Sequence, residues 1–174
     1  MADGITFKLT GVPELQKILT QLPQAATRRA MRAAMIVATT PVLERVRQLV
    51  PTGPYSTGLL RKSIGRKTVV YPRKNTVVVV IGPRSGFKKS VVRPGSKRPV
   101  LANPVKYAHL VELGFHHKAS GKFIAPRSFL RAALQQMSEP AQRLFASKFE
   151  TEVYREAAKL VAKYAVKTGQ VTGA

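Results

Sequence analysis

Residues 67–81 read KTVVYPRKNTVVVVI and contain two β-branched runs separated by a short break. The runs cover 67–71 and 76–81, and the break includes Pro72 and Asn75, two residue types that are frequent in turns. This pattern predicts an antiparallel β-hairpin. The second run is apolar without interruption after its first residue, which favours a central strand covered on both faces.

Helical patterns lie on both sides of this hairpin. Before it, apolar residues recur in steps of three and four over residues 24–49, which predicts a long helix that Pro41 kinks or splits. After it, Asn103 and Pro104 mark the start of a short helix, and Gly114 marks its end. The stripe of the long helix consists of Met31, Ala34, Met35, Ala38, Val42, Val46 and Leu49.

The C-terminal third of the chain predicts two further helices. Ser128 caps the first, which runs to about Met137, and Ser138 caps the second, which restarts before Pro140. We expect the second helix to bury a stripe of apolar residues and to direct its lysines and arginines outward. The stripe consists of Leu144, Phe145, Phe149, Val153, Ala157, Leu160, Val161 and Tyr164.

These elements, together with a short strand at 5–9 and a helix at 13–22, follow the order β–α–α–β–β–α–α. They predict an α+β fold in which a small antiparallel sheet packs against a long kinked helix, with a C-terminal helical extension. The expected division is one domain at 1–137, with a long basic loop inserted at 82–103, and a C-terminal helix with a frayed tail at 138–174. The valines of the loop would let it fold back as an extended ribbon.

The chain carries a net charge of +22, and that charge is unevenly distributed. No acidic residue lies between Glu44 and Glu112, whereas fifteen basic residues do. Such a charge opposes compaction unless an anionic partner or salt screens it, and the candidate partners are nucleic acid, an acidic protein surface and a membrane surface, in that order. We assign a surface that binds a polyanion or a protein partner to Arg73, Lys74, Arg84, Lys88, Lys89, Arg93, Lys97 and Arg98.

The chain lacks the residues that several classes of function require. The chain has no cysteine, which excludes disulfide scaffolds, cysteine-ligated zinc and thiol catalysis. The middle of the chain has no carboxylates to form a catalytic pair, and Glu150, Glu152 and Glu156 fit ion pairs on the surface of the last helix. Phosphate loops and dinucleotide fingerprints are missing too, so we expect no enzyme, no cofactor and no metal site. His116 and His117 point in different directions along an extended backbone, which favours a solvated loop, and their role stays open. No apolar run approaches the roughly 20 residues that span a bilayer, so no membrane partner is expected.

Glu112 is the single acid in this basic region. The structural interpretation is an ion pair with an arginine, for which Arg61, Arg127 and Arg131 are candidates. The functional interpretation is a ligand-binding or catalytic site. We favour the ion pair because the base and nucleophile that would complete a catalytic site are missing.

Three stretches carry a resemblance to a known family. They are GVPEL at 11–15 with the Ala/Arg-rich helix that ends at Pro51, TGLLRKSI at 57–64, and YAHLVELG at 107–114 followed by PRSFLRAA at 126–133. In this order and spacing the chain resembles the tail-completion, or neck, proteins that join head and tail in long-tailed bacteriophages. The resemblance covers residues 11 to about 134, and the longer segment at 115–125 departs from the family pattern.

The resemblance implies a non-enzymatic virion protein of the neck, assembled in the host cytoplasm. It implies a ring, six copies matching a tail tube, at the head–tail junction or the tail top. The implied partners are further copies of the chain, the adjacent head–tail connector, the tail terminator and tail-tube proteins, and genomic double-stranded DNA in the channel. The motif positions are chiefly fold positions: Thr57, Gly58, Leu59, Ile64, Tyr107, Val111, Gly114, Pro126 and Phe129.

The first hypothesis is therefore a structural protein that completes the tail and joins it to the head. Its basic surface would face either DNA or an acidic neighbouring ring. The alternative is a monomeric, sequence-nonspecific nucleic-acid-binding protein of the ribosomal or packaging type. That alternative predicts tight duplex binding that weakens steeply with salt. The copy number, the neighbours and the orientation of the 82–103 loop stay open.

Overall fold

The computed structural model describes residues 19–52, 57–92, 97–118 and 120–167. The strand expected at 5–9 and most of the helix expected at 13–22 lie outside these ranges, although residues 19–21 are helical. The helices are α1 (Gln24–Leu49), α2 (Leu59–Ser63), α3 (Pro104–Leu113) and α4 (Phe129–Lys167). The strands are β1 (Ile64–Tyr71), β2 (Thr76–Pro83), β3 (Lys89–Val92), β4 (Pro99–Ala102), β5 (Phe115–His116) and β6 (Phe123–Ile124). The predicted α+β class is confirmed.

Helix α1 is continuous through Pro41. It begins where the Pro23 carbonyl accepts the backbone N–H groups of Ala26 and Thr27, and its alanine-rich composition strongly favours helix. The buried side chains recur every fourth residue, which differs from the mixed three-and-four stripe expected from the sequence. Alanines form the first half of this line and valines the second half: Ala26, Ala30, Ala34, Ala38, Val42, Val46 and Val50.

The contacts divide the chain into two compact units. One unit contains Thr40–Lys67 and Val80–Glu139, and the other contains Thr68–Val79 with the described parts of 6–39 and 140–174. In the second unit, the alanines of α1 pack with Phe145, Phe149 and Val153 of α4. Small residues on one helix and large ones on the other let the two helices approach closely and still fill the space between them.

Helix α4 runs unbroken from Phe129 to Lys167, so the expected break at Ser138 is wrong. Pro140 removes one hydrogen bond without ending the helix, and Ala133 and Ala141 are buried on either side of it. The stripe expected on this helix is correct at its centre, but Leu144 and Val161 are 40% and 69% exposed. The boundary expected between 137 and 138 stays a prediction.

Within the described residues the strands form three two-stranded sheets. The predicted β1–β2 hairpin is confirmed, and a 3₁₀ turn at Pro72–Lys74 connects its strands. The expectation that β2 is covered on both faces is wrong, because its residues alternate in exposure, and among the described strands it has one neighbour. Val78 and Val80 are 38% and 54% exposed. The apolar run of β2 therefore predicted burial on both faces, but one face of the strand is exposed.

Candidate partner-binding surface

The joint between α3 and α4 holds the most developed polar network in the first unit. Asn103 caps α3 by accepting the Val105 N–H at 3.3 Å, and Gly114 ends that helix, as predicted. The last carbonyls of α3 accept from the chain that leads into α4: Val111 from Arg127 at 2.9 Å and Glu112 from Ser128 at 3.2 Å. The end of one helix is thereby hydrogen-bonded to the start of the next.

The carboxylate of Glu112 adds two further hydrogen bonds between α3 and α4. Its two oxygens accept the backbone N–H groups of Leu130 and Arg131 at 2.9 and 3.0 Å. These donors belong to the first turn of α4, where N–H groups lack partners within the helix and the helix dipole favours negative charge. The expected Glu112–arginine ion pair stays a prediction, whereas the observed role is a helix cap supplied from another helix. Ser128, the expected cap, has a positive φ of 21°.

Gly114 occupies a backbone conformation that only glycine adopts readily, with φ 76° and ψ 168°. A Cβ atom there would lie 2.7 Å from the Ile124 carbonyl oxygen and 2.9 Å from the Pro126 nitrogen. The chain beyond α3 therefore folds directly against this glycine. Its role follows from backbone geometry, and the Pro126 side chain, although exposed, lines the same contact.

The remaining motif positions are placed as fold residues. Leu59, Ile64 and Phe129 are buried, and Tyr107 and Val111 are half-buried. Helix α2 starts at Leu59. Gly58 takes the cap position with a φ of 66°, and the Thr57 hydroxyl accepts the Leu59 N–H at 3.4 Å. These side chains anchor the short helix and the start of β1, a structural role.

Two carboxylates of α4 are buried, although sequence reasoning placed them on the helix surface. Glu156 is 4% exposed and accepts Lys159 Nζ at 2.7 Å and Arg29 Nη2 at 2.6 Å. Glu152 is 7% exposed and pairs with Lys148 at 2.9 Å. The hydrogen bond from Lys159, followed by the one from Arg29, lowers the pKa of Glu156, and the bond from Lys148 lowers that of Glu152.

The basic loop folds back into the β3–β4 hairpin, as the valines predicted. Its register pairs Ser90 with Leu101 and Val92 with Pro99. Directly opposed residues of an antiparallel pair, and every second residue along a strand, share a face. One face of the hairpin, which we call the apolar hairpin face, therefore consists of Ser90, Val92, Pro99 and Leu101, and all four are exposed.

Basic residues flank this face at both ends of the hairpin. Lys88 and Lys89 are exposed at its open end, and Lys97 and Arg98 are exposed just before β4. The four-residue strands separate the two pairs by roughly 10 Å of strand length. Arg93, also assigned to the surface from the sequence, lies outside the described residues.

The other assigned basic residues occupy different places. Arg84 contacts the scaffold: its Nη2 donates to the Lys62 carbonyl at 3.3 Å and its guanidinium lies 5.1 Å from the Phe87 ring centre. Arg73 and Lys74 are exposed in the turn between β1 and β2, in the other compact unit. Lys88, Lys89, Lys97 and Arg98 flank the β3–β4 hairpin, whereas Arg73 and Lys74 share the β1–β2 turn.

His116 and His117 lie in the β5–β6 hairpin. His117 Nδ1 lies 2.9 Å from the Ser120 hydroxyl, and the His116 ring contacts Phe123 with 5.0 Å between ring centres. Among the described residues no cluster of histidines and carboxylates could hold a metal ion.

Comparison with models of protein families shows which family the chain is related to. A family model described as "Bacteriophage HK97-gp10, putative tail-component" matches residues 14–114, more than half of the chain. The chain belongs to this family. The match to the HK97-gp10 tail-component family ends at Gly114, so it covers α1, α2, both hairpins before α3 and α3 itself. Helix α4 lies beyond the match.

Family membership indicates where the protein is located and which class of proteins it contacts. A phage tail component is a viral structural protein that is located in the virion and interacts with other virion proteins. Searches of curated proteins and of solved structures found no match. Among the described helices, none is both long enough and apolar enough to span a membrane.

Proposed function

We propose that this chain is a structural neck protein that completes the phage tail and joins it to the head. Family membership across residues 14–114 is the observation that carries the proposal. The proposed assembly is a ring of six copies at the tail top, next to the head–tail connector and the tail terminator. Each copy presents basic residues to an anionic partner, which is either DNA in the channel or an acidic protein ring.

Exposed apolar side chains support an assembling protein over a monomer. Two-stranded sheets are marginally stable alone, and the sheets of this chain expose several large apolar residues. Exposed apolar surface of this kind marks protein–protein contacts. The residues concerned are Val78, Val80, Val92, Leu101, Phe123 and Ile124.

Net charge supports an anionic neighbour. Each copy carries +22, so a ring multiplies the repulsion between its own subunits. At physiological ionic strength screening acts over about 8 Å, which leaves adjacent subunits in mutual repulsion. A polyanionic surface next to the ring removes that repulsion, and phage DNA and an acidic protein ring both supply one.

Joining of heads to tails in a null mutant tests the proposal. An amber mutation in this reading frame is expected to yield filled heads and tails that remain unjoined. Purified protein added to such a lysate is expected to restore infectious particles. Normal infectivity of the null mutant, or a lysate that purified folded protein fails to restore, would contradict the proposed role.

A further inference from the structure

The apolar hairpin face is uncharged, yet it lies within the most basic part of the chain. Val92 and Leu101 are 59% and 67% exposed, more than most apolar side chains of the described residues. The opposite face of the same hairpin carries Val91 and Ala102, which are half-buried, and Lys89 and Val100, which are exposed. The hairpin therefore has one uncharged face that is fully exposed and one face that is mixed in charge and burial.

We infer that this face docks onto an acidic protein surface with an apolar centre, and that duplex DNA is not its occupant. The inference deepens the proposed function and rests on it. An apolar centre with a charged rim is the usual arrangement of a protein–protein interface. Here Lys88, Lys97 and Arg98 form the rim, whereas Lys89 lies on the opposite face, so the complementary rim on the partner carries carboxylates.

Duplex DNA offers little surface that matches such a face. Contacts to phosphates come from charged and polar side chains, and base edges are read by hydrogen bonds and by apolar contacts such as those to thymine methyl groups. A two-stranded ribbon can enter the major groove, but Ser90 is the one side chain on this face that can hydrogen-bond. Most of the DNA surface beside Val92 and Leu101 would be phosphate and sugar, against which apolar side chains gain little.

A second copy of the chain supplies little acidic surface. The chain has eight acidic residues against thirty basic ones. Glu152 and Glu156 are buried in ion pairs, and Glu112 caps α4. Contact between two copies through this face would also bring two basic rims together. The occupant is therefore a different virion protein.

Photo-crosslinking in assembled particles tests the inference. The photoreactive amino acid p-benzoylphenylalanine replaces Leu101 in phage-infected cells, and Lys106, exposed on α3, is the matched control position. Irradiated virions are expected to give a crosslink from position 101 that protease destroys and DNase leaves intact. The crosslinked peptide is expected to come from another virion protein and to contain carboxylates beside apolar residues. A DNase-sensitive product, a peptide of this same chain, or a peptide without carboxylates would overturn the inference.

Two paired variants provide an independent measurement. Val92→Ser with Leu101→Ser removes the apolar face, and Lys88→Gln with Lys97→Gln removes rim charge. On a 30-base-pair duplex, anisotropy titration is expected to show the serine pair within twofold of wild type and the glutamine pair at least threefold weaker. Complementation of the null mutant by the serine pair is expected to fall at least a hundredfold. Complementation at the wild-type level by a folded serine pair, or DNA affinity lost with the apolar residues, would refute the docking role.

Failure of this inference is separable from failure of the proposed function. A crosslink to DNA in a phage whose null mutant leaves heads and tails unjoined overturns the inference alone. Normal infectivity of the null mutant overturns the proposed function itself.

Discussion

Replacement of Glu112 by glutamine removes a charge from the joint between α3 and α4 while keeping the side-chain shape. The carboxylate accepts two backbone N–H groups of the first turn of α4, from Leu130 at 2.9 Å and Arg131 at 3.0 Å. Glutamine offers one oxygen, and its NH₂ group would face a second N–H donor. The variant therefore loses one hydrogen bond and the favourable interaction between the charge and the helix dipole.

The expected cost follows from these two losses. A hydrogen bond to a charged group contributes about 1.5–3 kcal/mol, less where water competes, as it does at half-buried Glu112. The helix dipole adds about 0.3–1 kcal/mol. We expect the free energy of unfolding to fall by about 2 kcal/mol, which lowers the thermal midpoint by about 4–8 °C for a chain of this size.

The control for this experiment is Glu150→Gln. Glu150 is exposed in the middle of α4, so its replacement removes the same charge from the same strongly basic protein without affecting the helix start. Circular dichroism melts at low salt compare the two variants, and hydrogen exchange reports on the amides of Leu130 and Arg131, which are expected to exchange faster in Glu112→Gln. Thermal midpoints within 1 °C of each other would refute the capping role.

Three further perturbations follow from the same contacts. Gly114→Ala is expected to lower the free energy of unfolding by at least about 2 kcal/mol, because of the backbone conformation at this position and the crowding at the added Cβ. Gly82→Ala, with open space around it, is the control in parallel thermal melts. Phe149→Ala is expected to lower the free energy of unfolding by about 3–5 kcal/mol in chemical denaturation, and Leu144→Ala, at an exposed position, by under about 1 kcal/mol. Equal losses of stability in the two variants would contradict the packing of α1 on α4. The pKa of Glu156 is lowered in the folded state, so its stabilising contribution is present above the ordinary glutamate pKa and is lost as pH falls through the lowered value. Melts from pH 7 to pH 3 are expected to show this loss in the wild type and a flatter profile in Glu156→Gln; identical profiles would contradict the ion-pair role.

Local signals predicted the elements well where a single residue decides a boundary. Asn103 and Gly114 delimit α3 as expected, because a capping side chain and a helix-ending glycine act on the backbone groups next to them. The β1–β2 turn was likewise predicted from Pro72 and Asn75. Such boundaries need no knowledge of tertiary contacts.

The errors concern burial and long-range partners. The valines of β2 favoured a covered central strand, but coverage depends on which elements pack against it, and Val80 is 54% exposed. Glu152 and Glu156 fitted a solvated helix face, because spacing along α4 does not reveal that Glu156 meets Arg29 of α1. The Glu112 cap was missed for the same reason: its donors lie eighteen and nineteen residues away.

The same contrast between local signals and long-range pairing applies to the β3–β4 hairpin. Composition identified the basic segment, and the ribbon was predicted from its valines. Register was not predictable, since a shift of one residue exchanges the two faces of a strand. The pairing of Ser90 with Leu101 is what places Val92 and Leu101 together on one exposed face.

Cryo-electron microscopy of purified virions tests the central claim most directly. Particles of the wild-type phage are compared with the products of the amber mutant in this reading frame, without imposed symmetry at the neck. The account predicts a sixfold ring between the head–tail connector and the tail tube into which this fold fits, and the loss of that ring in the mutant. A neck that is unchanged in the mutant, or wild-type particles in which no density accommodates α1 packed on α4, would contradict it.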